Sequence, residues 1–418
     1  MKNQSVSANL DWTSVVLYAI LAIMGWFTIY SSSSPIEDVS FDIAEIYGRQ
    51  LIFIFLSIPI IITILWVDSK IYEKFAFLIY VGSILLLAGL FVFGKTIKGQ
   101  TNWYQFAGFN LQPSEFAKIA TALLLSKVLS DSTFSLNEFK NQLIAFVIIL
   151  APVSLILMQP DAGSAMIFLS LVIVLYREGL PDIYMITILT LLVLSISALI
   201  FDPIYITLVF LIIMIAYFFS KKRIQRKPIL NLIFFGVMTF CMFSVNFVYE
   251  NVLEPHQQDR INVLFNDNVD LKSEGYNLNQ SMIAIGSGGL TGKGFMEGTQ
   301  TKGGFVPEQH SDYIFTTVGE EWGFFGSFIV ILVYVLFFFR LLHLAENQKT
   351  VFSRAYGYCV VTILFTHFAV NIMMLIKLFP TIGVPLPFFS YGGSSFWAFT
   401  ILLFIFLKMD ANKVNEWH

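Results

Sequence analysis

Two ionisable residues stand where an apolar run should tolerate neither: Glu115 and Lys118 in "NWYQFAGFNLQPSEFAKIA" (102–120). Three residues apart, they share one face of a helix. Pro113 and Ser114 suit a helix start, and Glu115 suits the positive end of the helix dipole. Lys118 opposes that dipole. It either pairs with Glu115 or awaits an anion, and an ionisable residue inside an apolar span is by default a functional candidate. A second polar joint, "MQPDAGSAM" (158–166), offers Asp161, which reads first as a cap for the following helix. A third, "FPTIGVPLPFFSYGGSS" (379–395), holds three prolines and three glycines. It is either a rigid re-entrant turn or the lining of a substrate cavity, the two settings in which non-helical backbone survives at membrane depth. The largest store of titratable groups lies in 250–312: Asp259, Arg260, Asp267, Asp270, Glu274, Glu308, His310 and Asp312. A carboxylate there could take a proton from a hydroxyl, and a nearby cation could steady a departing anion. An acid in a solvated loop is ordinarily only solvated, and charge and spacing do not choose among the eight.

The elements that must position these groups are helices in lipid. Of 418 residues, 56% are hydrophobic and 13% charged, and 44 are Phe. Soluble domains carry roughly 25% charged residues. Runs such as "FTILLFIFL" leave no face for water, so the chain reads as an all-α polytopic membrane protein. A net charge of −3 argues against a nucleic-acid or polyanion binder. Cys241 and Cys359 lie in apolar runs and read as packing residues. No phosphate-binding loop or dinucleotide fingerprint appears, so no organic cofactor is expected. Apolar runs fall at about 10–31, 50–67, 75–94, 115–129, 142–158, 162–177, 183–200, 204–219, 229–249, 313–339, 355–376 and 392–408, about twelve spans. With a cytoplasmic N-terminus, sixteen of the 25 Lys and Arg fall in inner segments, the run "KKRIQRK" (221–227) among them. Both termini are then cytoplasmic and 250–312 forms a large extracytoplasmic loop. No repeat or linker divides 1–418, which reads as a single integral membrane domain.

Five fragments, "QPSEFAK" (112–118), "QPDAGS" (159–164), "EGYNLNQSMIAIGSGGLTGKGF" (274–295), "VPEQHSDYIF" (306–315) and "GVPLPFFSYGGSS" (383–395), resemble the shape, elongation, division and sporulation (SEDS) family, in the family's order. "IAIGSGGLTGKG" followed by "GTQ" looks like the RodA branch. The resemblance implies a peptidoglycan glycosyltransferase that polymerises lipid II at the outer face of the bacterial cytoplasmic membrane. It further implies a class B penicillin-binding protein as transpeptidase partner, beside other elongation-complex membrane proteins. It singles out Asp270, six residues before Tyr276, as the essential acid, and Asn266 stands where such chains often carry an earlier Asp. It adds Trp103, Glu115, Lys118, Arg260, Gly275, Tyr276, Gln280, Ser390, Tyr391 and Gly392 as substrate-binding candidates. Two departures stand out. Asn102 replaces an Arg common before Trp103, and about twelve spans exceed the family's ten, with 183–219 as a candidate inserted helix pair.

The chemistry so implied needs a base on the acceptor hydroxyl, a role for Asp270, and positive groups for the departing pyrophosphate, for which Arg260 and Lys118 are candidates. Mg²⁺ or Mn²⁺ could assist. The alternatives are an FtsW-like division polymerase and a flippase or transporter of the lipid-linked precursor. The transporter reading fits intramembrane Lys118 and leaves the large outer loop unexplained.

Overall fold

The computed structural model describes residues 9–34, 42–97, 99–106, 109–220, 228–251, 255–265 and 274–413. Ten described helices are long and apolar enough to cross a membrane. They are α1 (Trp12–Ser33), α2 (Ile46–Trp66), α3 (Ser69–Phe93), α5 (Phe139–Leu157), α8 (Asp182–Ile200), α9 (Pro203–Ser220), α10 (Pro228–Asn251), α14 (Ile314–Glu346), α15 (Val351–Leu375) and α16 (Gly393–Asn412). The two remaining apolar runs are helical but short. α4 (Pro113–Leu129) has 17 residues, and 162–177 divides into α6 (Ala162–Leu169) and α7 (Val172–Arg177). The expected twelve spans are therefore twelve helical runs, of which ten have spanning length among the described residues. At the α6 break Ser170 Oγ donates to the Ile167 carbonyl at 2.6 Å, drawing that acceptor out of the helix ladder. The segment 250–312 holds three further helices, α11 (Pro255–Phe265), α12 (Glu274–Ser287) and α13 (Thr299–Lys302).

The described departure from helix is a small antiparallel meander, which the hydropathy pattern does not signal. It comprises β1 (Lys95–Ile97), β2 (Gln100–Phe106) and β3 (Phe109–Leu111), in the order β1-β2-β3. Lys95 faces Trp103, and Tyr104 faces Leu111. "TNWYQF" is rich in the β-branched and aromatic types that suit a half-buried pleat, and Gly99 supplies the positive φ (80°) before β2.

The chain's internal contacts fall into two compact units, one of residues 1–179 with 276–418 and one of 180–275. In the first, α15, α16 and α4 form the interior, with 83% of the apolar window of α16 buried. α4 packs against α3, α15 and α16, and α2 against α16. Helix starts follow local chemistry. Asp11 accepts from Ser14 N at 3.0 Å ahead of α1, and Asp161 accepts from Ser164 N at 3.0 Å ahead of α6. Asp11 also pairs with Arg340 of α14. Burial opposes its ionisation, and the bonds from Arg340 and Ser14 outweigh that and hold its carboxyl below the ordinary range. Glycine matters where backbone meets backbone. A Cβ on Gly25 of α1 would lie 2.6 Å from Phe389 Cα, so the 379–395 turn rests directly on α1. The second unit packs α8, α9 and α10 around Leu194, Ala198, Phe210, Met238 and Met242.

Candidate functional site

Three sequence motifs meet at the end of the first unit that carries the meander. Asp161 joins them. Its Oδ2 accepts from Asn102 Nδ2 (3.0 Å, β2), Gln112 Nε2 (3.2 Å, just before α4) and Ser164 Oγ (2.8 Å, α6). Gln112 N donates to Ser394 Oγ at 3.3 Å, and that hydroxyl donates to Asn110 O at 2.9 Å, which brings in the start of α16. The cap expected of Asp161 is present, and the same carboxylate, 5% exposed, ties β2, the start of α4 and α6 together through neutral donors. Asn102, where the resemblance leads one to expect an arginine, is one of those donors.

One turn deeper, Lys118 pairs with Glu115 at 2.8 Å, the first of the two options left open by the sequence. Its Nζ also lies 2.8 Å from His367 Nε2 and 5.3 Å from the centre of the Phe399 ring. His367 Nδ1 stands 3.2 Å from Pro385 O. Both contacts are satisfied when the imidazole is neutral with its proton on Nδ1, accepting from lysine and donating to the carbonyl. Glu115, Lys118 and His367 are each no more than 3% exposed. The ammonium is thus enclosed by a carboxylate, an imidazole nitrogen and an aromatic face.

The 379–395 turn is bonded on both sides. Ser390 Oγ donates to Ser311 O (2.7 Å) and accepts from Leu386 N (2.8 Å). Tyr391 N donates to His310 O (2.9 Å), Gly392 N to Gln50 Oε1 (3.2 Å), and Asn371 Nδ2 to both Asp312 O (2.9 Å) and Val384 O (2.7 Å). Burial pushes the Tyr391 phenol up, and Arg49 beside it acts the other way.

The glycine-rich stretch after α12 docks on α14, which breaks its helical course at Gly323 (φ 62°). Glu320 is the anchor. Oε1 accepts from Lys293 Nζ (2.7 Å), Thr299 Oγ1 (3.2 Å) and Gln300 N (2.9 Å), and Oε2 from Thr301 N (2.9 Å) and Thr301 Oγ1 (2.8 Å). A Cβ on Gly292 would sit 2.1 Å from Glu321 O, so the approach requires glycine.

The structure places Trp103, Glu115, Lys118, Ser390, Tyr391 and Gly392 in the first unit, Trp103 being half-buried on β2. Tyr276 and Gln280 are half-buried on α12. Arg260, half-buried on α11, and buried Gly275 belong to the second unit. Asp270, with Asn266 and Asp267, lies outside the described residues. His367, Glu320 and Arg49 are site neighbours that sequence reasoning did not single out. For His367 the signal was available, an ionisable residue inside the run "ILFTHFAVN". Among the described residues no three His, Cys, Asp or Glu side chains gather to hold a metal ion.

A bundle of apolar helices, ten of the described ones long enough to cross a membrane, defines a polytopic integral membrane protein. The chain belongs to the FtsW, RodA and SpoVE family of cell cycle proteins, whose sequence profile matches residues 11–205 and 182–415. The peptidoglycan glycosyltransferase RodA of Treponema pallidum (strain Nichols) is 30% identical over 429 residues, covering 97% of this chain and 98% of that protein. The peptidoglycan glycosyltransferase MrdB of Escherichia coli K12 is 30% identical over 388 residues, covering 93% and 90%. Two solved structures share the fold. One is a chain from work on how a peptidoglycan synthase complex coordinates polymerization and crosslinking (TM-score 0.71, 22% identity, 97% and 98% covered). The other is the rod shape determining protein RodA of Thermus thermophilus (TM-score 0.63, 21% identity, 97% of each chain).

Proposed function

We propose that this protein is a peptidoglycan glycosyltransferase of the RodA type, which polymerises lipid II into glycan strands for wall elongation and rod shape. The observation that carries the reading is 30% identity, over 97% of the chain, to a protein named for that activity. A relative named as a probable FtsW, that of Geobacter metallireducens, reaches 28% over 390 residues, which favours elongation over division. In this reading the protein resides in the cytoplasmic membrane with both termini cytoplasmic and 250–312 outside. It works with a class B penicillin-binding protein, in keeping with a structural relative drawn from a peptidoglycan synthase complex.

Asp270 takes the proton from the acceptor sugar hydroxyl. The hydroxyl oxygen forms a bond to the anomeric carbon of the donor as the bond from that carbon to the pyrophosphate oxygen breaks. Undecaprenyl pyrophosphate leaves with the electron pair. A single displacement inverts the anomeric carbon. Arg260 stands as a cation for the leaving group, while Glu115, Lys118 and His367 keep the start of α4 and the 379–395 turn in register beneath the sugars. The test is lipid II polymerisation by the purified chain with its partner, with and without divalent metal. The wild type yields polymer and Asp270→Asn yields none. Normal polymer from Asp270→Asn refutes the base assignment. Lipid movement in liposomes without polymer from the wild type establishes the flippase reading instead. Depletion that costs cells their width control supports elongation, and filaments would place the protein in division.

A further inference from the structure

The enclosed position of Lys118 changes where a lipid-linked anion would find positive charge. All the contacts of that ammonium are internal, and it is 2% exposed. Lys293 is spent on Glu320 at 2.7 Å and Lys95 on Gln105 at 2.5 Å. Arg49 differs. It is exposed in the first turn of α2, at the same end of the unit as the 379–395 turn. Its Nε donates to Ala44 O at 2.8 Å, which fixes the plane of the guanidinium. The guanidinium lies close enough to Tyr391 to counter the upward push that burial gives its phenol. The Tyr391 ring is held at its edge by His310, with centroids 5.7 Å apart at 72°, and by Phe53 at 6.3 Å. Its backbone is tied to His310 O, and the next residue is tied to Gln50 on the turn of α2 that follows Arg49. Arg49 and Tyr391 are therefore set side by side by bonds independent of any ligand. Of the two acids that flank His310 at two residues' distance, Glu308 and Asp312, Glu308 is engaged by Ser311 Oγ at 3.2 Å.

We infer that Arg49 and Tyr391 form an anion subsite for the pyrophosphate of a lipid-linked substrate or product. The fork of a guanidinium suits two phosphate oxygens, and the phenol adds a third donor. The inference rests on the glycosyltransferase reading for its natural ligand, and its test does not. Inorganic pyrophosphate serves as the probe with the purified full-length chain, at fixed ionic strength, and its binding is measured directly and as inhibition of polymerisation. Arg49→Gln is expected to weaken pyrophosphate on the order of tenfold or more, with Arg49→Lys in between and Tyr391→Phe weaker than wild type by a few-fold. The KM for lipid II rises in the same order. If Arg49→Gln does not fold, Arg49→Lys and Tyr391→Phe decide by the same two readouts. Pyrophosphate bound equally by wild type, Arg49→Lys and Tyr391→Phe overturns the subsite. Pyrophosphate binding that depends on Arg49 in a chain that makes no polymer keeps the subsite and overturns the glycosyltransferase reading.

Discussion

Replacing Lys118 by methionine removes one charge from a cluster that water does not reach. The stem of the side chain is kept in volume, so the change isolates the ammonium. Glu115, 3% exposed, would lose its partner at 2.8 Å, and His367 Nε2 would lose its donor. Breaking a buried pair by removing one partner costs about 3–5 kcal/mol, because the surviving charge stays desolvated. The lost imidazole bond lies within that cost, since the same lysine serves both. Glu115→Gln together with Lys118→Met leaves no stranded charge and is expected to lose only about 1–2 kcal/mol, a coupling of roughly 2 kcal/mol or more. Reversible unfolding of the full chain in mixed micelles measures all four corners of the cycle. Polymerisation measured beside it should fall with stability in Lys118→Met and return in part in the double variant. Loss of less than about 1 kcal/mol in Lys118→Met, or additive single effects, would refute the enclosed-pair reasoning and point to an ammonium held ready for a ligand.

His367→Gln keeps an acceptor for Lys118 and a donor for Pro385 O, whereas His367→Leu keeps neither. The leucine variant should lose about 1–3 kcal/mol and most of its turnover, with glutamine restoring both. ¹⁵N-histidine spectra should show an unprotonated Nε2 in the wild type. Asp161→Ala removes a helix cap and three further acceptor contacts and should cost about 3 kcal/mol, against roughly half that for Asp161→Asn, read from the same unfolding curves. Glu320→Gln cannot serve all five donors, so the amides of Gln300 and Thr301 should exchange with deuterium on the order of tenfold faster, while those of α16 are unchanged.

Helices were legible because lipid leaves the backbone few alternatives, and each of the twelve apolar runs is helical. What hydropathy could not convey was length within protein. α4 and the α6–α7 pair are short because neighbours in the bundle bury them, which removes the need for each to satisfy a full bilayer thickness. The meander at 95–111 was invisible for a related reason. Its residues are mixed in polarity and its strands too short to show a period. Among site residues, the Glu115–Lys118 pair followed from helix spacing alone. Its third member lies 249 positions away from Lys118 on α15, a separation at which no local pattern can operate. Asp161 was legible as a cap and not as a junction, because the cap depends on the next three residues and the junction on Asn102, 59 positions earlier.

The placement of charge divides the labour of the site. Three buried carboxylates of the first unit have partners within the fold: Glu115 with Lys118, Asp161 with amides and a hydroxyl, Glu320 with Lys293 and the loop amides. A group held this way cannot accept a proton or release a cation without paying the desolvation of what it leaves behind. Glycan extension must do both, since a proton leaves the acceptor and negative charge grows on a pyrophosphate. Such work falls to groups that water can reach as the reaction proceeds. Arg49, exposed beside a braced Tyr391, meets that condition. The buried ions then act by shape. They hold the start of α4 and the 379–395 turn in place, so substitutions there should lower turnover and stability together, and substitutions at Arg49 should change substrate affinity at unaltered stability. A variant at Lys118 that kept full stability while losing pyrophosphate binding would reverse that assignment.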